Sequence, residues 1–271
     1  MTLTSAPPPN LRIVPTARLF PHEDHDSQRS DPLIQRMSTD LYMINPPIVA
    51  PMGNDDYVIL DGANRVFAFA ALGYPHVLVQ VASYDSGYIQ LETWHHLVGG
   101  WSNPDFIEHI RLLPDIHITD GHSLQAIAHI TLREGQILAL RATAETVHQR
   151  NAALRQFVGV YQRNAALYRT ALDLPEDNWA IHPDAIAMVV FPHYKPADII
   201  EAAQQHAFLP AGVSRHIVFG RAIRVNYPIA LLRDPNTSLA EKNDHLLAWM
   251  QDKVAKRQVR YYAEATYQFD E

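Results

Sequence analysis

Residues 57–74, YVILDGANRVFAFAALGY, decide the fold. The apolar run Tyr57 to Leu60 reads as a strand that ends at Asp61-Gly62. A nearly all-apolar helical run follows, from about Ala63 to Leu72. Gly73 stops it as a left-handed cap, and Pro75 lies just beyond. A turn between two buried elements needs one small residue. This turn carries a carboxylate, a glycine, an amide (Asn64) and a guanidinium (Arg65) together.

Two readings fit that mixture. In one, Asp61 caps the helix and Arg65 makes a surface ion pair. In the other, the turn is an anion seat. The first turn of a helix leaves backbone N–H groups without intrahelical acceptors, and the helix dipole adds positive potential there. Gly62 lets another group approach the backbone, and the fork of Arg65 suits phosphate oxygens. Asp61 would be repelled by a phosphate unless a divalent cation lay between them. The turn matches neither G-x-G-x-x-G nor a P-loop.

Working outward, the first hundred residues read as a compact α+β unit. Leu11 to Val14 is a short strand. A polar, acidic loop, LFPHEDHDSQR, runs into a helix with Pro32 in its first turn. Ile48 to Ala50 is a strand, joined to Tyr57–Leu60 through the turn residues GNDD, and HVLVQVA at 76–82 is another strand. Residues 88–98 read as helical. Gly and Pro in GGWSNPD, at 99–105, place a domain boundary there, giving domains 1–102 and 103–271. In the second, Ser123–Leu132 and Gln136–Ala142 form a hairpin around REG, a long helix covers 144–172, and Ala185–Phe191 is a buried strand. Helices follow at Pro196–Ala207 and from Ser238, opened by a capping box with Glu241, to about Arg257. Val259–Phe269 is a candidate last strand.

Composition narrows the function classes. Hydrophobic residues make up 47% and charged residues 19% of 271, which marks a globular chain. A formal charge of −7 lacks the basic excess on which duplex-DNA binders rely. The chain has no cysteine, which excludes thiol nucleophiles, disulfides and Cys-based metal sites. MTLTSAPPPN lacks the pattern of a secretory signal, and no apolar run is long enough for a membrane span. A soluble, cytoplasmic protein with no membrane partner is the expectation.

DGANRVFAFAALGYPHVLVQV resembles the D-G-x-x-R-x-x-A-x-x-x-L-G signature of the ParB/sulfiredoxin superfamily, over about residues 10–100. The resemblance implies a ParB/sulfiredoxin-like N-terminal nucleotide-binding domain, followed here by a mixed α/β C-terminal domain. Within the superfamily, sulfiredoxin chemistry requires a cysteine in this turn and is excluded. ParB-type proteins are nucleotide-gated DNA clamps with a helix-turn-helix after the nucleotide fold. A nucleotide-binding, DNA-associated protein without kinase activity is therefore the alternative. Against it stand the acidic charge and the lack of a short helix–turn–recognition-helix pattern.

Three further blocks are similar to the free serine kinases of the superfamily, which use ADP or ATP. They are LFPHEDHDSQR after the first strand, LETWHHLV after the nucleotide fold, and FLPAGVSRHIVFGRAIRVNYPIALL in the C-terminal half. The resemblance implies a Mg²⁺-dependent kinase with L-serine and a nucleotide as its partners and O-phospho-L-serine as its product. No nucleic acid is expected. It makes Glu23 the carboxylate base, with Asp24 and Asp26 as neighbouring competitors. Asp61 orients Mg²⁺ or the incoming hydroxyl, and Gly62, Ala63, Asn64 and Arg65 hold the donor phosphates. Trp94 packs over the amino acid with His95 alongside, and Ser214, Arg215 and His216 clamp its carboxylate or the product phosphate. Of His95 and His96, one at most lines the site, since adjacent residues of a helix point apart. His22, His25 and His193 read as surface residues. Asn64 stands where the family commonly carries His, and Ser214 where Thr is usual, which keeps the hydroxyl.

Overall fold

The structure is a computed structural model, described for residues 6–25 and 27–262, with the backbone alone for 27–29. It divides into two compact units. The first takes Met1–Phe20, His25–Gln90 and Ile217–Glu271, and the second takes Pro21–Asp24 and Leu91–His216.

The first unit opens with β1 (Asn10–Pro15) and β2 (Leu19–Pro21), then α1 (Ser27–Thr39) and the short β3 (Tyr42–Met43). β4 (Ile48–Gly53), β5 (Asp56–Asp61), α2 (Ala63–Ala71) and β6 (His76–Val81) follow. The strands form one sheet in the order β1-β6-β4-β5-β2. β4 and β5 are antiparallel around Asn54 and Asp55, both at positive φ (54° and 60°), as a two-residue hairpin turn requires. β4 runs parallel to β6, and α2 is the crossover's helix after β5. α1 begins at Ser27, so Pro32 lies in its interior rather than its first turn.

In the second unit, β7 (Ile89–Thr93) and β8 (His95–Gly99) lead to α3 (Asn103–Arg111), β9 (Ile116–Asp120), β10 (Ala128–Leu132) and β11 (Ile137–Ala142). Then come α4 (Val147–Asn164), β12 (Ala166–Thr170), α5 (Pro175–Ile181), β13 (Ala185–Val190), α6 (Pro196–Gln204) and β14 (Ser214–Val218). Six of these strands make a sheet in the order β12-β8-β13-β10-β11-β9, each pair antiparallel. β7 pairs with β14 where the chain leaves the first unit and returns to it. Phe106 and Ile110 of α3 and Phe157 and Tyr161 of α4 are fully buried, with the ring of Tyr161 edge-on to both phenylalanines.

The chain then returns to the first unit as β15 (Tyr227–Pro228), which pairs with β3, followed by α7 (Ile229–Arg233) and α8 (Leu239–Ala255). Tyr227, Ile229, Leu232 and Leu246 share one buried cluster with Ile13, Val49, Ile59, Phe69 and Val77. That shared core is why residues 217–271 join the first unit, and why the division differs from one cut at residue 102. α8 opens with the capping box expected at Ser238 and Glu241.

Two expected helices are not formed as read. Residues 88–98 are β7 and β8, and β8 is buried along its whole length as an inner strand. The long helix ends at Asn164, and residues 166–170 become the edge strand β12, paired with β8. Val259–Tyr262 carry no regular structure, and the rest of the candidate last strand lies outside the described residues. Among the described residues no helix is long and apolar enough to cross a membrane.

Candidate functional site

The seam at 61–65 joins β5 to the first turn of α2. Gly62 is the N-cap of α2 in the left-handed region (φ 89°), and its carbonyl accepts the first intrahelical bond, from Val66 N–H at 3.0 Å. The amides of Ala63, Asn64 and Arg65 therefore precede the first bond of the helix. A Cβ on Gly62 would lie 2.9 Å from Arg65 Nη2 and 3.1 Å from the backbone of Pro47. Arg65 packs directly over the glycine. It donates to the Asn45 carbonyl and lies 3.4 Å from Asp61 Oδ2. Arg221, after the C-terminal return, donates to the same Oδ2. Both arginine contacts fall on Oδ2, and the Asp61 side chain is 40% exposed.

That donor set, one half-exposed carboxylate with both guanidiniums on a single oxygen, fits a Mg²⁺ ion carried by a nucleotide. Mg²⁺ keeps several waters and takes one or two carboxylates beside substrate phosphates. Among the described residues no cluster of three His, Asp or Glu side chains forms a self-sufficient cation site.

A second constellation lies within the second unit. Glu23 sits in the four-residue excursion Pro21–Asp24 and forms an isolated parallel bridge with Leu209. Asp24 N–H donates to the Leu209 carbonyl and Leu209 N–H to the His22 carbonyl, which lock the excursion against residues 207–214. The Glu23 carboxylate accepts three hydrogen bonds. Ser214 N–H and Ser214 Oγ reach Oε1, both at 2.6 Å, and Gly212 N–H reaches Oε2 at 2.7 Å. His22 Nε2 lies 2.6 Å from Ser214 Oγ. The single hydroxyl proton of Ser214 goes to the carboxylate, so Nε2 of His22 carries its own proton and donates to the hydroxyl. His22 also meets the ring of His216 edge-on at 5.4 Å, and the Arg215 guanidinium lies 4.7 Å over the Trp94 ring. Trp94 N–H donates to Val213 O at 2.9 Å, which ties the β7–β8 junction to the same loop.

Glu23, His22, Ser214 and His216 are thus gathered together, while Arg215, which alternates with Ser214 and His216 along β14, packs on Trp94. Asp24 turns away to an ion pair with Arg155 at 3.2 Å, and Asp26 lies outside the described residues. His95 also leaves the group. Its Nε2 contacts the exposed Asp173 at 3.1 Å, and its buried Nδ1 meets no hydrogen-bond partner. The neighbouring His96 is the one connected to the loop, its Nε2 3.0 Å from the Gly212 carbonyl. The two point apart because they alternate along a strand, not because they sit on a helix.

Sequence reading missed four residues here. His22 is only 4% exposed, not a surface histidine, and its adjacency to Glu23 was the available signal. Arg221 lay inside the block FGRAIRVN without an assigned role. His96 and Gly212 meet across 116 residues, and no local pattern announces that contact.

These two constellations can be set beside known proteins. No family model matches the chain. A protein of Staphylococcus aureus, the ATP-dependent L-serine kinase SbnI, is 24% identical over 263 residues, covering 95% of this chain and 96% of its own. The chain is similar to free L-serine kinases. An ATP-dependent L-serine kinase of Staphylothermus marinus is 29% identical over 92 residues, 34% of this chain and 36% of that protein. Among solved structures, C-terminally truncated SbnI superposes with a TM-score of 0.72 at 20% identity, covering 92% of this chain and 97% of its own. A free serine kinase variant in complex with AMP gives 0.73 at 12% identity, covering 83% and 95%. These structures share the mixed α+β fold.

Proposed function

We propose that the protein is a free L-serine kinase that transfers a phosphoryl group from ADP or ATP to the serine hydroxyl, giving O-phospho-L-serine. The observation that carries this reading is the Glu23 carboxylate, held by three donors from Gly212 and Ser214. The similarity to an L-serine kinase along nearly the whole chain supports it.

An ionised carboxylate has about four lone-pair sites. Three are used, two on Oε1 and one on Oε2. The fourth, on Oε2, is the one to which the substrate hydroxyl donates. As the hydroxyl oxygen forms its bond to phosphorus, its proton passes to Glu23, and the bridging P–O bond breaks to release AMP or ADP. Arg215, kept planar against Trp94, faces the carboxylate of serine or the transferred phosphate. His216 shares the face of Ser214 and meets His22. Ser214 has a different part from the one first read for it: it holds the base.

In the first unit, the amides of the α2 first turn and the Arg65 fork receive the donor phosphates. Asp61 offers its carboxylate to Mg²⁺ brought with the nucleotide, and the ion when bound neutralises phosphate charge. Arg65 and Arg221 hold that carboxylate in place. Asn64 brings no cationic side chain, so this role falls to the amides and Arg65. His95, turned to Asp173, has no part in the reaction as proposed.

The test is direct. Protein, Mg²⁺ and L-serine are incubated with ADP or ATP, and O-phosphoserine is measured with the released AMP or ADP, which identifies the donor. Absence of phosphoserine with either nucleotide, from folded protein, refutes the proposal. A Glu23→Gln variant with wild-type turnover would remove the base from it.

A further inference from the structure

We propose that His96, Tyr161 and Arg169 are positioning residues for Glu23, acting through the Ala211–Gly212 backbone. The inference rests on the reading of Glu23 as the base. None of the three touches the carboxylate. Each acts on the loop that does.

Two sets of hydrogen bonds meet at Gly212. Gly212 N–H donates to Glu23 Oε2 at 2.7 Å, and the carbonyl of the same residue lies 3.0 Å from His96 Nε2. A carbonyl can only accept, so Nε2 carries the proton. His96 Nδ1 therefore accepts, and Tyr161 Oη, 2.7 Å away, donates to it. Tyr161 thereby fixes the tautomer and orientation of the imidazole, and His96 anchors Gly212 at its carbonyl. The peptide that donates to Glu23 is Ala211–Gly212, and its own carbonyl accepts from Arg169, which polarises the Gly212 N–H toward the anion.

Arg169 fixes the other face of the loop. It is the cross-strand partner of His96 in the β12–β8 pair, and its Nη2 donates to the Ala211 carbonyl at 3.0 Å. Gly212 has φ +78°, and a Cβ on it would lie 2.1 Å from Arg169 Cζ, so the guanidinium rests against the bare glycine. The loop is clamped between an arginine and a histidine, and only glycine fits the clamp.

Burial makes the arrangement costly unless it is fully paired. His96 and Tyr161 are both 0% exposed, and the Phe191 ring lies edge-on to His96 at 4.9 Å. Apolar side chains would fill this layer of the core without that cost. The charged and titratable groups that act on His96 are Arg169 on β12 and Tyr161 on α4, with His95, its neighbour on β8, turned to the other face. Burial first, then Arg169 and His95, lower its proton affinity to about 4, against the opposing pull of the Gly212 carbonyl. The imidazole is neutral at physiological pH, as accepting from Tyr161 requires.

The experiment compares His96→Leu, His96→Gln and Tyr161→Phe with wild type and Glu23→Gln in the phosphoserine assay, with ADP or ATP binding measured by calorimetry. His96→Leu removes the anchor of Gly212, and a base displaced by a fraction of an ångström to an ångström costs up to about 100-fold in kcat. Tyr161→Phe keeps the ring and loses one donor, lowering kcat about tenfold. His96→Gln restores an N–H donor to the carbonyl and returns kcat to within about threefold of wild type. Nucleotide affinity stays within about twofold throughout, because the effect is on the base and not on the phosphate seat. Equal kcat in wild type, His96→Leu and Tyr161→Phe while Glu23→Gln is inactive overturns the positioning role and leaves the base intact. An active Glu23→Gln instead overturns the base reading on which the inference rests. Should His96→Leu not fold, imidazole ¹⁵N spectra of the wild type and Tyr161→Phe kinetics decide. A His96 that holds the Nε2–H form from pH 8 to about 5.5 supports the positioning role, and one that titrates near its ordinary value of about 6.5 overturns it.

Discussion

Glu23 and Ser214 are joined twice, because carboxylate oxygen Oε1 accepts both the amide and the hydroxyl of Ser214, each at 2.6 Å. The hydroxyl meets Glu23 and His22. Ser214→Ala keeps the amide bond and removes the hydroxyl that Glu23 and His22 share. A hydrogen bond to a charged group is worth about 1.5–3 kcal/mol, so kcat falls roughly 10- to 100-fold. Ser214→Thr, with the same hydroxyl, stays within about threefold. Steady-state kinetics distinguish this from a substrate clamp. Loss of a clamp raises KM for L-serine at unchanged kcat, whereas a loosened base lowers kcat.

Gly62→Ala tests the anion seat. The left-handed conformation costs a side-chain-bearing residue about 1–2 kcal/mol. The new Cβ also presses on Arg65 Nη2 at 2.9 Å and on Pro47 at 3.1 Å. Either Arg65 or the turn must shift, and both belong to the seat. ADP or ATP affinity, measured by calorimetry, is expected to weaken about tenfold or more. Unchanged affinity would mean that the phosphates bind elsewhere.

The seam itself was legible because its signals are local. A β-branched run, Asp-Gly, an apolar helical run and Gly73 each specify their own backbone, and β5, Gly62, α2 and the left-handed Gly73 fall where the residues put them. YIQLETWHHLV was misread because Leu91, Trp94 and Leu97 recur at helical spacing. Yet β8 is enclosed by β12 and β13, and a strand buried on both faces shows no alternation to read. The end of α4 was misread for a related reason. Residues 166–170 have good helix formers, but pairing with β8 overrides local preference. Glu23 could be picked out by resemblance. Its supports could not, because Gly212 and Ser214 reach it from 189 and 191 residues away.

Lys242 offers a prediction about stability alone. It is 1% exposed in the first unit, and its ammonium donates to the Leu232 carbonyl at 3.1 Å and the Asp234 carbonyl at 2.6 Å, with His76 Nδ1 at 3.0 Å. It thereby satisfies the C-terminal end of α7, where carbonyls lack intrahelical donors. Lys242→Met fills the space but strands those acceptors, at a cost of about 2–4 kcal/mol. Thermal unfolding should shift down by about 5–10 °C. A melting temperature within a degree or so of wild type would show that water or a rearranged α7 replaces the ammonium at little cost.

The pH dependence of stability isolates His96. Its proton affinity is lowered from 6.5 in the unfolded chain to about 4 in the fold, chiefly by burial. Between those values the unfolded state binds more protons, so stability is full above about pH 6.5 and is lost as pH falls toward 4. The whole effect is on the order of 3 kcal/mol, of which about 2 kcal/mol has gone by pH 5. His76 and His129 are also lowered by burial and contribute with the same sign, so the wild-type curve alone does not single out His96. His96→Gln carries no titrating group at that position and leaves the other two unchanged. Urea unfolding at pH 7.5 and pH 5 should therefore show the wild type losing about 2 kcal/mol more than the variant. Equal losses would mean that His96 is protonated in the native state at pH 5, with Tyr161 no longer donating to it.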